Sequence, residues 1–394
     1  MKLKKPGLLA QIIIAIVLGI GAGIISPALP VRIFVTFNGL FSEFLAFIIP
    51  LIIVGLVAPA IADIGKVAGK MLAVTALLAY GATLFSGFTS YAVGETFFPK
   101  LITRDIPLSE ISEAKGVVPF FTIDIPEPLN VMTALVMAFT LGLGMANLNT
   151  NYLKNVFIDF RDIIVKTIQK VILPLLPIYI FGIFFNMTHS GQVFNVLSVF
   201  IKIIGIIFIL HILLLIFQYI IAGIIAGKNP FRMLANMMPA YFTALGTQSS
   251  AATIPVTLKQ TIKNGVNEDT AGFVIPLCAT IHLSGSTMKI VACALALMMM
   301  QGIPYDFKMM SGFIFMLGIT MVAAPGVPGG AIMASLGILS SMLGFDDNAQ
   351  ALMIALYIAM DSFGTACNVT GDGALAVIID RWFGKKKSVP DQIQ

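Results

Sequence analysis

Charge is scarce in this chain: Asp, Glu, Lys and Arg make up 11% of its 394 residues, against 58% hydrophobic ones, where an average globular sequence carries about 25% charged residues. With a mean hydropathy of +0.97, that scarcity excludes a soluble enzyme, and no nucleic-acid partner is expected. Cysteine is equally sparse. Cys278, Cys293 and Cys367 all lie in apolar segments without CxxC spacing, which excludes a disulfide framework and a structural metal site. Cys278 and His282 stand four apart, but no third and fourth metal ligands accompany them. The Gly65 to Lys70 stretch is one residue short of a phosphate loop and lacks its Ser or Thr. Gly19, Gly21 and Gly23 lack the strand context of a dinucleotide fold. No nucleophile and base pair points to an enzyme, and no cofactor is expected.

What the chain has is long apolar runs. A hydrocarbon core about 30 Å thick takes roughly 20 helical residues to cross, so about eight crossings fit. The first run, Leu8 to Ile25, follows Lys2, Lys4 and Lys5 without a cleavage pattern and reads as a retained helix. Further crossings are expected near Thr36 to Ile64, Met71 to Val93, Leu129 to Asn149, Val156 to Asn186 and Val193 to Ile225. Basic residues then give sidedness. Lys66, Lys70, Lys154, Arg161, Lys166, Lys170, Lys228, Arg232, Lys259, Lys263, Arg381, Lys385, Lys386 and Lys387 fall on the N-terminal side; Arg32, Lys100, Arg104 and Lys115 fall on the other. The loop from Gly94 to Pro128 carries Glu95, Asp105, Glu110, Glu113, Asp124 and Glu127 and reads as external. Both termini are therefore expected in the cytoplasm, with the chain embedded in the lipid of the cell membrane.

Composition changes at about Lys228, after which small and polar residues interrupt the apolar runs. Ala244 to Pro255, with Gly246, Thr247, Gln248, Ser249 and Ser250 at its centre, is a polar turn between two arms too short to span. Val322 to Gly330, containing Pro325, Gly326, Val327, Pro328 and Gly329, repeats that plan about 75 residues later. Two re-entrant helical hairpins explain both, since exposed backbone at membrane depth is tolerated only against protein or a wet cavity. An ordinary loop between two full spans is the alternative. Between them, His282-Leu283-Ser284-Gly285-Ser286-Thr287 sits inside an apolar span and should unwind it. Asp361, Thr365, Asn368 and Asp372 recur at spacings of four, three and four and form one polar helical face. Two carboxylates in hydrocarbon need partners, and cations or a ligand's ammonium are natural ones.

The Ser249 to Thr257 tip, the Gly326-Val327-Pro328-Gly329 tip and above all Asn368-Val369-Thr370-Gly371-Asp372 resemble the dicarboxylate/amino acid:cation symporter, or glutamate transporter, family. The resemblance is specific from about Phe231 to Phe383. It implies an all-α polytopic membrane protein with eight transmembrane helices and two re-entrant hairpins, working as a homotrimeric elevator. Residues 1–70 would be scaffold helices 1 and 2, residues 71–128 the moving third helix and external loop, and residues 129–190 scaffold helices 4 and 5. Residues 191–394 would complete the moving part: helix 6, hairpin 1 over about 231–262, helix 7 over 269–300, hairpin 2 over 306–344 and helix 8 over 347–383.

The resemblance also implies roles. Asp361 matches the aspartate that holds a substrate ammonium, and Asn368 the asparagine on the substrate's backbone; Thr365, Ser249, Ser250, Ser286, Val327, Pro328 and Gly329 would line the same site. Members that take acidic amino acids carry an arginine where this chain has Gly364. Its absence points to a neutral amino acid, and the glycine is expected to leave space beside Cys367 and Ser286. An acidic amino acid or dicarboxylate symporter, and an uncoupled facilitator or an ion or anion channel on the same fold, are the alternatives. Asp372 and Asn368, with Cys278 and His282 carbonyls, match one sodium site. A second should be weak, because a family carboxylate is here Ser284 and its amide neighbour His282. Lys289, seven residues beyond His282 and about 10 Å further along the helix, is expected to stand in for a missing sodium. Either it or His282 would otherwise carry a coupled proton. Its alternatives are a pair with Asp372 or an aqueous vestibule. The coupling ion is thus Na+ at fewer sites than usual, or H+.

Overall fold

The structure, a computed structural model, describes residues 7–66, 70–102, 117–191 and 193–384. The expectations on Lys2, Lys4, Lys5, Arg104, Asp105, Glu110, Glu113, Lys115 and Lys385 to Lys387, and on the middle of the Gly65 to Lys70 loop, lie outside those residues. Among the described residues every regular element is helical, as lipid demands of a chain that must satisfy its backbone hydrogen bonds within each segment. Helix α1 is Leu8–Ile25. Helix α2, Ala28–Lys66, begins before the expected Thr36, since Pro30 falls in its first turn, where a missing N–H leaves no bond unmade. Helix α3, Lys70–Phe97, ends in a 3₁₀ turn, Phe98–Lys100. Helix α4, Val131–Asn147, is capped by Asn130, whose side chain accepts from the Thr133 N–H.

The span expected as one helix from Val156 to Asn186 is one continuous helical stretch, Tyr152–His189, widened in its middle. Helix α5, Tyr152–Thr167, meets α6, Leu173–His189, through a π-helical turn at Ile168–Ile172. Pro174 explains the widening, because it has no N–H to return to the carbonyl of Lys170. Helix α7 is Val193–Ala226. The region after Lys228 holds α8, Pro230–Thr247, α9, Ser250–Lys263, α10, Glu268–Ile281, and α11, Ser284–Gln301. It continues with α12, Phe307–Ala323, α13, Gly330–Leu343, α14, Asp347–Ala359, and α15, Asp361–Phe383.

Length and composition make six of the described helical stretches able to cross a membrane, or seven when α14 and α15, bent by 61°, count as one. The 17 residues of α4 reach only about 26 Å, short of a full crossing by this measure. The described end of the large loop lies along the first half of α2. Phe120 N–H donates to Thr36 Oγ1 at 2.9 Å and Ile125 N–H to a Glu43 carboxylate oxygen at 3.2 Å, while the Arg32 guanidinium sits 4.3 Å from the Phe120 ring centroid. Arg32 and this loop therefore share one end of the molecule.

Helix α1 packs on α6, and α2 on α4, α5 and α6; α3 packs on α11, and α15 on α7, α8, α10 and α11. Helix α11 is buried without interruption from Ser284 to Met298. Helix α15 is buried from Asp361 to Ile379 except at Phe363. Gly, Ala, Ser and Thr on these two helices let neighbours approach closely on every side, so the polar face of α15 is enclosed by protein. Helices α8 and α9 pack on each other across the two residues Gln248 and Ser249, and α12 and α13 across residues 324–329. Their arms of 18, 14, 17 and 14 residues are about 21–27 Å long, below the thickness of the hydrocarbon core.

Candidate functional site

Two helix breaks face each other in the core. The first follows Ile281, where His282 turns extended (φ −107°, ψ 96°) before α11 starts at Ser284. A helix start leaves backbone donors without intrahelical acceptors, and here Asn368 of α15 takes them. Its Oδ1 accepts from Gly285 N–H at 2.8 Å and from Ser286 N–H at 3.3 Å, while its Nδ2 donates to Ser286 Oγ at 3.0 Å. The Tyr357 hydroxyl donates to the same oxygen at 3.0 Å. The second break is at Met360, and Asp361 opens α15 there.

Asp361 is held on both oxygens. Oδ1 accepts from the Lys289 ammonium at 3.0 Å and Oδ2 from Gly329 N–H, at the tip between α12 and α13, at 2.9 Å. Lys289 is 0% exposed and Asp361 3%. A buried ion pair persists only when further hydrogen bonds compensate desolvation, and this one has them: Lys289 Nζ also lies 3.5 Å from the Tyr357 carbonyl oxygen and 3.4 Å from the centroid of its ring. Neither the Asp372 pairing nor the vestibule considered for Lys289 is what the structure shows. The space expected beside Gly364 is likewise filled: a Cβ at that position would lie 2.7 Å from Lys289 Nζ and 2.9 Å from its Cε. Gly329, at φ +72°, takes a left-handed conformation that only glycine adopts at no steric cost, and this aims its N–H at Asp361.

Asp372 has a different partner. Its Oδ1 lies 2.9 Å from His282 Nδ1, with both groups buried. On the other side of the ring, Gln218 Nε2 of α7 lies 3.5 Å from His282 Nε2 and donates to Ser284 Oγ at 3.3 Å. Gln218 Oε1 is a buried oxygen with no hydrogen-bond partner among the described residues. The Cys278 carbonyl, expected at a sodium site, accepts the His282 N–H at 2.9 Å.

The hairpin tips meet. Ser249 Oγ donates to the Gly326 carbonyl at 2.7 Å, and its neighbour Gln248, in a left-handed conformation at φ +53°, donates from Nε2 to Ser362 Oγ at 2.9 Å. Ser250 is buried at the start of α9, and Thr365 is buried on α15. Val327 N–H turns back to the Pro325 carbonyl at 2.8 Å, which places Pro328 and Gly329 at the end of the tip. Gln218, Tyr357 and Ser362 were not singled out from the sequence. Neither were Ser86 and Ser90 of α3, whose hydroxyls donate to the carbonyls of Ser284 and Met288 at 2.8 and 2.7 Å. One signal pointed to Gln218: an amide in a plain apolar helix, seven residues after His211 and so on the same face. His211 itself bonds the Gly285 carbonyl at 3.0 Å.

A cavity of about 460 Å³ lies away from these pairs, among α2, α6, the end of α11 and the start of α14. Its walls include Asn38, Asn186 and Gln301, whose side-chain carbonyl oxygens are buried without a partner among the described residues. Asp346 and Asp347 complete its polar side.

Comparison with known proteins gives the family. The sodium:dicarboxylate symporter family matches residues 8–382. A protein named serine/threonine transporter SstT from Acinetobacter baumannii strain ATCC 17978 is 26% identical, over 96% of this chain and 97% of its own length. Proteins of the same name from strains AYE and SDF match at the same identity and coverage. The match runs through both helix breaks and both hairpin tips, and the chain accordingly belongs to the sodium:dicarboxylate symporter family, a multi-pass membrane transporter and not an enzyme.

Proposed function

We propose that the chain is a secondary active symporter that carries a neutral amino acid across the cytoplasmic membrane. One observation carries this reading: Asp361, Asn368 and Ser286 converge with the Gly329 amide of one hairpin tip, and the other tip closes on Gly326 through Ser249. In this reading Asp361 receives the substrate's ammonium and Asn368 its backbone, while tip amides at Val327 and Gly329 would leave the Pro325 carbonyl and Asp361 to receive its carboxylate, as charge-assisted hydrogen bonds favour. Ser249, Ser250, Thr365 and Pro328 complete the wall. The α12–α13 tip acts as the external gate, combining fixed and permissive backbone at Pro325, Pro328 and Gly329. Serine and threonine, named for the relatives, suit the hydroxyl of Ser286 and the missing arginine at Gly364.

Few coupling ions are needed. Lys289 neutralises Asp361 and His282 holds Asp372, so two carboxylates that would otherwise gather cations each have a partner from the chain itself. The remaining ion, Na+ near Asp372, Asn368 and Ser284 or H+ on His282, accompanies the substrate. Helices α1, α2, α4, α5 and α6, which pack chiefly on one another, would be the scaffold against which α3 and α7–α15 move as an elevator, in a homotrimer. An acidic substrate is the second reading, favoured by the cation that Lys289 places in the Gly364 notch.

Uptake into proteoliposomes of the twenty amino acids and of succinate, with and without sodium, tests the proposal. Concentrative uptake of serine, threonine or alanine is expected. Selective uptake of aspartate or succinate would overturn the neutral assignment, and equilibration without accumulation would make the protein a passive facilitator. Light scattering of the detergent-solubilised protein should give the mass of three chains.

A further inference from the structure

The carboxylate assigned to the substrate's ammonium already holds an ammonium. Lys289 Nζ is 3.0 Å from Asp361 Oδ1, the Gly329 N–H occupies Oδ2 at 2.9 Å, and the lysine is completely buried. The fit is specific to a lysine and a glycine together, because any side chain at position 364 would begin where the lysine's Cε and Nζ lie. The same ammonium has a second resting place within reach, on the Tyr357 carbonyl at 3.5 Å and over the Tyr357 ring at 3.4 Å. A short lateral swing would take it off Asp361 without exposing it to lipid.

From this geometry we infer that Lys289 is a tethered ligand of the substrate's amine site: it occupies Asp361 between transport events and yields to the incoming ammonium by exchange. This rests on the neutral amino acid reading above. Charge is conserved in the exchange. A zwitterion brings one positive and one negative group: its ammonium replaces that of Lys289 on Asp361, the displaced lysine moves onto the Tyr357 carbonyl and ring, and the tip amides take the carboxylate. Asp361 keeps one ammonium partner throughout, and no covalent bond is made or broken. The site therefore discriminates for molecules that carry both groups, and small primary ammonium ions are a class of ligand it would accept once the lysine is removed.

The test uses full-length protein in nanodiscs and sodium-free choline buffer, with radiolabelled L-serine and methylammonium chloride as probes. Lys289→Met should bind serine at least tenfold more tightly than the unmodified chain, and millimolar methylammonium should displace serine from this variant alone. Gly364→Ala keeps every charge but crowds the lysine off its seat, so it should shift affinity in the same direction, and it decides the question if Lys289→Met does not fold. The double variant Lys289→Met/Asp361→Asn should fold and bind no serine. The inference is overturned if folded Lys289→Met binds within twofold of the unmodified chain or not at all, if Gly364→Ala leaves affinity unchanged, or if the double variant binds normally, which would make the pair purely structural. An unmodified chain that binds no neutral amino acid would instead defeat the substrate assignment, whatever the variants do.

Discussion

Asn368 and His282 each complete a group that would otherwise be buried unpaired, and each allows a prediction. Asn368→Ala removes the acceptor for two N–H groups at the start of α11. Unsatisfied buried donors cost about 1–3 kcal/mol each, so the melting temperature in detergent should fall and uptake should be lost. Asn368→Asp keeps an acceptor and should recover most of the thermal stability but not uptake. His282→Ala leaves Asp372 without its buried hydrogen-bond partner, and leaving such a group unsatisfied costs about 1–3 kcal/mol or more. Adding Asp372→Asn should return most of that stability, as unfolding in denaturant would show, and no recovery would mean that the imidazole acts through packing rather than charge. These residue types were legible in the sequence as polar groups in hydrocarbon. Their partners were not, because Lys289 stands 72 residues from Asp361 and 83 from Asp372, and only the bend at Met360 decides which carboxylate it meets. Gly364 shows the same limit: one chain position reads as empty volume until the side chain that fills it is known.

The helical elements are more legible than their joints. Leu8–Ile25 was readable to the residue, and both hairpin turns lie where small and polar residues interrupt apolar arms, since breaks of that kind have few other uses within a membrane. The π turn at Ile168–Ile172 was not foreseen, although Pro174 was its visible cause. A hydrogen bond from Ser249 links the two tips, a kind typically worth about 0.5–1.5 kcal/mol net. Ser249→Ala should therefore loosen the α12–α13 tip by roughly 2- to 13-fold in its opening equilibrium. A cysteine placed by Val327→Cys would report this as faster modification by a membrane-impermeant maleimide. Unchanged labelling would mean that the tip is held by its own turn. Gly329→Ala, forced into a left-handed conformation that costs roughly 1–2 kcal/mol, should raise labelling further because it also turns the N–H away from Asp361.

Taken together, the core carries two carboxylates, Asp361 and Asp372, one ammonium, Lys289, and one imidazole, His282. A neutral zwitterion adds no net charge, so a single monovalent cation at most balances the loaded core. Currents compared with tracer flux in proteoliposomes should give no more than one positive charge per substrate, and two or more would show that one of the internal pairs opens to admit a cation. Such a count was beyond the composition, which gave membrane residence but not which charges cancel. The cavity among α2, α6, α11 and α14 has a mechanical consequence. Asn38, Asn186 and Gln301 present oxygens there without a partner among the described residues, and a polar cavity of this size would hold water against them. Were the two sides to slide as proposed, a seam lubricated in this way would let them trade one water contact for the next, with low friction however tightly the helices beyond it are packed.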